Sequence, residues 1–293
     1  MSNVRERKIL EELEKTGYPL EVDVSDALLE NGWLIVPQYV THDQHTGKLR
    51  TLDVWAARPF AKAGKMARML VECKKSIKPW VFFQSGNLWR DVTLLQQKKT
   101  IPLTHLSYVG MTPLSLFQSF FDLEQINLAS EKPSQVPTQL QELLQTSFQK
   151  IHFFDRSLPI AHSCYVAHRK GSKTADAFQK ALYQLRAAAS ELAFAPFYAS
   201  VFEVVVVRGD LYEFDKIEGK KQLHPVNHVL FYTEYLQQTE YEDEYITPAN
   251  LKVVPPFTVD VVKDTYFAEY LRIISKDMEC LEQIYTTWES VKP

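Results

Sequence analysis

TLDVWAAR, residues 51–58, and MARMLVECK, residues 66–74, are the two runs on which the fold turns. Both have strand composition, and the connection between them is short, built around the basic, small-residue loop AKAGK at 61–65. So short a link favours an antiparallel hairpin over a crossover. Residues two apart on a strand share a face. Glu72 and Lys74 therefore point one way, and Met69, Val71 and Cys73 the other. Asp53 lies mid-strand between Leu52 and Val54, on the more polar face with Thr51. Hairpin pairing then sets Asp53 beside Glu72, bringing two carboxylates and an ammonium to one spot.

Outward from this pair, the polar, glycine-bearing stretch THDQHTGKLR at 41–50 reads as a turn. Before it, WLIVPQYV at 33–40 reads as a strand, and Pro37 assigns it to a sheet edge or a bulge. Leu20, Val24, Ala27 and Leu28 recur at helical spacing, with Pro19 in the first turn and Asn31-Gly32 as a stop. A charged N-terminal helix with Ile9, Leu10 and Leu13 along one side precedes it, broken at Gly17. Downstream, residues 174–195 repeat Phe178, Leu182, Leu185, Ala189 and Leu192 at helical spacing until Pro196. VFEVVVVRG at 201–209 is the most β-prone run, apolar enough for a strand buried on both faces. Segments 226–232 and 251–262 read as strands, and 266–288 as a helix.

The chain has 293 residues, with 33 Lys+Arg against 36 Asp+Glu and a net charge of −3. Its 45% hydrophobic content excludes a disordered or collagen-like chain. At about 150 residues per domain, the length suggests one large domain or two small ones. No apolar run approaches the roughly 18 residues of a membrane span. Cys73, Cys164 and Cys280 form no CxxC pair, which argues against a disulfide framework or a Cys-rich zinc site. With no apolar leader at the N-terminus, the expected setting is the cytoplasm, with no membrane partner. The absence of basic excess means that nucleic-acid chemistry would have to rest on a local site.

Two carboxylates this close repel unless a cation lies between them. A hard divalent ion such as Mg²⁺, with Mn²⁺ as a substitute, is the natural occupant because it prefers oxygen ligands. A lysine beside it can orient or deprotonate a water, or meet charge developing on a phosphate. Glu-x-Lys also occurs at Glu6/Lys8 and Glu218/Lys220, but only Glu72/Lys74 ends an apolar strand preceded by one with a mid-strand Asp. The plainer reading of the trio is a cross-strand salt bridge on a solvated face. Lys75, Lys78, Arg169, Lys170 and Lys173 are the candidate phosphate contacts, or simply a solvated charged face. His42 and His45 lie in a turn, and His224 and His228 flank Pro225, so neither pair makes a zinc site. Trp33, Trp55, Trp80, Phe82 and Phe83 read as core. No phosphate-binding or dinucleotide glycine motif occurs.

TGYPLEVDVSDALLENGW, RTLDVWAAR and LVECKKS together resemble the PD-(D/E)xK nuclease superfamily, with its restriction-endonuclease-like fold. That core runs helix, three-strand meander, helix, strand, which falls here on 19–31, 33–40, 50–57, 66–74, 174–195 and 201–208. The resemblance implies an α/β fold, a mixed central sheet flanked by helices, with a large insertion and a C-terminal extension. Residues 1–76 and 173–209 would form the core, 77–172 an inserted lobe with one helix at 138–150, and 210–293 an extension packed on the core. It also implies metal-dependent hydrolysis of phosphodiester bonds, more in keeping with DNA than RNA. Asp53, Glu72 and the Cys73 carbonyl would hold the metal, Lys74 would stand beside the attacking water, and Glu21 would match the glutamate some members add from the first helix. Gln179 and Tyr183 resemble a QxxxY element of some members, with Gln184 beside them. Leu52 replaces the proline of the family's name. A protein partner supplying recognition would reconcile the acidic chain with a DNA substrate. The alternative is a catalytically silent relative that binds nucleic acid or a protein.

Overall fold

The computed structural model describes residues 2–14, 16–42, 47–62, 64–84, 160–166, 175–192, 198–217, 220–233 and 257–291. The expected helix at 138–150 and the basic residues Arg169, Lys170 and Lys173 lie outside them, as does His45.

The chain opens with α1 (Ser2–Leu13) and α2 (Tyr18–Glu30). Helix α2 has Pro19 in its first turn and buries Leu20, Val24 and Leu28. It ends where Gly32 takes the left-handed φ of 78°, which frees two N–H groups to turn back. Gly32 N–H donates to the Leu29 carbonyl and Trp33 N–H to that of Leu28, the paired bonds of a Schellman stop. Trp33 is thereby delivered into the interior.

Three strands follow as an antiparallel meander: β1 (Leu34–His42), β2 (Leu49–Pro59) and β3 (Met66–Lys75). Strand β1 stands at the sheet edge, which is where Pro37 can lack a ladder donor without loss. Next come β4 (Trp80–Gln84), β5 (Ile160–Val166), α3 (Ala175–Leu192), β6 (Tyr198–Arg208), β7 (Leu211–Ile217), β8 (Lys220–Pro225), β9 (His228–Thr233), β10 (Phe257–Lys263) and α4 (Phe267–Val291). The described strands form one mixed sheet in the order β1-β2-β3-β6-β10-β9-β5-β4-β7-β8. β3, β6 and β10 are parallel neighbours at its centre.

The parallel pair β3/β6 continues, through two short links, as the parallel pair β4/β7. Ser76 N–H donates to the Arg208 carbonyl and Trp80 N–H to that of Asp210, stitching the links together. Gly209 makes this possible. At φ 139° a side chain would be strained, and a Cβ there would lie 2.6 Å from the Ser76 carbonyl oxygen. The sheet therefore crosses the boundaries at 76/77, 172/173 and 209/210 that the sequence suggested. The described strands of the 77–172 segment, β4 and β5, are part of it, and β10 from the C-terminal segment pairs directly with β6.

Helices cover both faces. On one, Phe178, Ala181, Leu182, Leu185, Ala188 and Ala189 of α3 pack on Leu70, Val205, Val207, Val259 and Val261. Phe178 meets Phe82 and Phe231 edge to face, with ring centres 5.5 and 4.9 Å away. Asp260 lies between Val259 and Val261 and so points to the opposite face, where the Tyr270 hydroxyl of α4 donates to it. Arg58 donates to the Ser275 hydroxyl of α4 on that side. Val201 to Val207 are buried throughout, as a strand covered on both faces requires. Among the described residues, no helix is long and apolar enough to cross a membrane.

Candidate metal centre

The β2/β3 ladder starts at Val54 opposite Val71. One residue earlier, Asp53 replaces a ladder bond with its side chain: its Oδ2 accepts from the Cys73 N–H at 2.7 Å. That bond fixes the carboxylate at the point where β2 leaves β3. Glu72 is fully buried, and its Oε2 accepts from Lys74 Nζ at 2.6 Å. The same ammonium lies 3.2 Å from the Cys73 carbonyl and 3.7 Å from Asp53 Oδ2. The three side chains thus meet as strand alternation predicts.

The second Glu72 oxygen, Oε1, is buried with no hydrogen-bond partner. Leaving a carboxylate oxygen dry and unpaired is costly. Burial pushes the Glu72 carboxyl up to about 8, even with the Lys74 ammonium in contact; the Asp53 charge adds to the rise. Burial would lower Lys74, but Glu72 and Asp53 outweigh it and hold the ammonium above its ordinary range. Glu72 thus holds its proton chiefly because a buried carboxylate is costly, and Lys74 because two carboxylates face it. Burial, then Asp53, also pushes the Cys73 thiol well up, so this residue offers its carbonyl oxygen rather than a thiolate.

Glu21 sits in the first turn of α2, and its Oε2 accepts from Gln38 Nε2 at 2.6 Å. Its carboxyl is raised by burial and then by the Asp53 charge, with Gln38 and Lys74 opposing, so Glu21 lies within electrostatic reach of Asp53 and Lys74. Among the described residues, no group of three or more His, Cys, Asp or Glu side chains stands ready around one point. The arrangement is two carboxylates bridged by an ammonium, with a third carboxylate that interacts with Asp53 and Lys74. Its donor set, carboxylate and carbonyl oxygens with one orphaned buried oxygen, fits a hard divalent cation such as Mg²⁺ or Mn²⁺.

The remaining candidates are dispersed. Lys75 alternates away from Lys74; its ammonium donates to the Glu14 carbonyl and lies 3.7 Å from Glu14 Oε2, against the end of α1. Lys78 is half-buried in the β3–β4 link, its N–H donating to the Ser76 hydroxyl. Gln179 and Tyr183 face solvent, whereas Gln184 Nε2 donates to the Thr51 carbonyl at 2.6 Å, tying α3 to β2 two residues before Asp53. His224 is exposed, and His228 is buried with its Nε2 2.7 Å from Asp260 Oδ1.

Sequence reasoning missed Gln38. Among the described residues it is the non-glycine residue with positive φ, 51°, and the pairs Pro37–Val54 and Tyr39–Leu52 bracket it opposite Asp53. The sequence signal was Pro37, which marked a break in the strand at the right place. The buried set His228, Asp260 and Tyr270 was also missed, because its members come from three different elements, β9, β10 and α4. No family model, curated protein or solved structure matches this chain.

Proposed function

We propose that this chain is a divalent-metal-dependent nuclease with a restriction-endonuclease-like core, hydrolysing phosphodiester bonds in DNA. The element order supports the core assignment: helix α2, the meander β1–β2–β3, helix α3, then β6 parallel to β3. The observation that carries the reading is Glu72, a fully buried carboxylate with one oxygen unpartnered, one strand from Asp53. A salt bridge on a solvated face explains neither the burial nor the orphaned oxygen.

Asp53, Glu72 and the Cys73 carbonyl would hold the ion, with Glu21 contributing from α2. A cation bound there supplies positive charge to the phosphoryl group and acidity to water. Lys74 acts as a cationic donor, because its raised pKa keeps it protonated at neutral pH. Its ammonium can donate more than the two hydrogen bonds it makes to Glu72 and the Cys73 carbonyl. The remaining capacity serves the attacking water or the charge developing on phosphate. Asp53 is held by the Cys73 N–H and so needs little reorganisation.

The test is cleavage of plasmid DNA, linear DNA and RNA with Mg²⁺ or Mn²⁺. Wild type should cut DNA only with metal, and Lys74→Ala should lose cutting while binding Mn²⁺ comparably. Intact DNA after prolonged incubation, or cutting unchanged in Lys74→Ala, overturns the assignment; a silent nucleic-acid- or protein-binding relative is then the reading left.

A further inference from the structure

Gln38 combines two features that do not go together in an ordinary strand. Its backbone is left-handed, a conformation that L side chains other than Asn and Asp rarely adopt without strain. Yet the hydrogen bond its side chain donates to Glu21 Oε2, 2.6 Å long, is exposed, and exposed bonds add little to stability. Fold stability alone therefore does not account for the strain. Its position does: Gln38 lies across the ladder from Asp53, and it reaches the α2 carboxylate that feels both Asp53 and Lys74.

We infer that Gln38 is a positioning residue, whose amide fixes the Glu21 carboxylate at the rim of the Asp53–Lys74 pair as the third carboxylate of the cation site. The inference rests on the metal-nuclease reading of that site. The hydrogen bond ties one oxygen of the Glu21 carboxylate to β1, on the strand facing Asp53. Groups that orient a metal ligand commonly govern affinity without touching the ion.

The experiment is calorimetric titration of the full chain with Mn²⁺, on wild type, Gln38→Gly, Glu21→Gln, the double variant and Asp53→Asn. Glycine relieves the left-handed strain while deleting the amide, so folding is preserved. Gln38→Asn, which tolerates the same backbone but is too short to reach Glu21, is the second route if glycine loosens β1. Mn²⁺ affinity should fall about tenfold in Gln38→Gly and in Gln38→Asn. The double variant should bind no more weakly than Glu21→Gln, since both changes remove one interaction. Wild-type affinity in Gln38→Gly, or losses that add in the double variant, would overturn the inference. Binding abolished by Asp53→Asn yet untouched at Gln38 and Glu21 would sink the inference alone. A wild-type chain that binds no Mn²⁺ would sink the metal reading with it.

Discussion

Divalent cation binding should expel a proton from Glu72. In the free chain its carboxyl is pushed up to about 8. At neutral pH burial therefore favours the protonated form, whereas a metal ligand must be ionised. Binding should release a proton from Glu72 at pH 7 and a smaller fraction of one at pH 9. Apparent affinity should rise by about tenfold per pH unit up to pH 8 and flatten above it. In the free chain Lys74 is held above its ordinary range by Glu72 and Asp53, against the opposing effect of burial, so Glu72 is the group whose own shift falls in that window. The assay is titration calorimetry with Mn²⁺ at pH 7 and 9, each in two buffers of low and high ionisation enthalpy, such as PIPES and Tris at pH 7. The slope of observed heat against buffer enthalpy gives the protons released. Identical heats in both buffers at pH 7 would refute the reasoning: Glu72 would be either already ionised or not a ligand.

The same shift predicts how stability depends on pH. The folded chain keeps the Glu72 proton between the ordinary 4.5 and about 8, where the unfolded chain has lost it. This contribution is fully present below 4.5 and lost as pH rises through 8. Glu72→Gln should remove that loss, on the order of a few kcal/mol, in urea melts at pH 5 and 9; parallel pH slopes for both proteins would contradict it. Gly209→Ala should cost about 1–3 kcal/mol, since φ is 139° and the new Cβ meets the Ser76 carbonyl at 2.6 Å. A melting midpoint unchanged from wild type would show that the link can relax.

How much of this was legible in the sequence depends on where pairing partners lie. The meander was readable because Asp53, Glu72 and Lys74 sit on adjacent strands joined by a short loop, so alternation alone brings them together. Strand β6 announced itself by four consecutive valines, Val204 to Val207, and α3 by Phe178, Leu182 and Leu185 at helical spacing. Strands β4 and β7 gave no comparable signal. Trp80 pairs with Leu211 and Ile160 with Leu230, partnerships that no local period encodes. Gln38 was invisible for another reason: a left-handed glutamine has no compositional mark, unlike a glycine in the same state. Glu21 was found only by resemblance, since an acidic residue in a first helical turn is favoured by the helix dipole alone.

The central strand β6 has a consequence during synthesis. Its partner on one side, β3, has already been made, but β10 on the other begins at Phe257 and ends at Lys263, about 55 residues after Arg208. At ribosomal speeds of about 5–20 residues per second, a valine-lined edge stays unpaired for about 3–11 s after β6 is complete. Such an edge templates association with other nascent chains. Shortened chains that stop before Phe257 should therefore gather in inclusion bodies, whereas the full-length polypeptide closes its own edge.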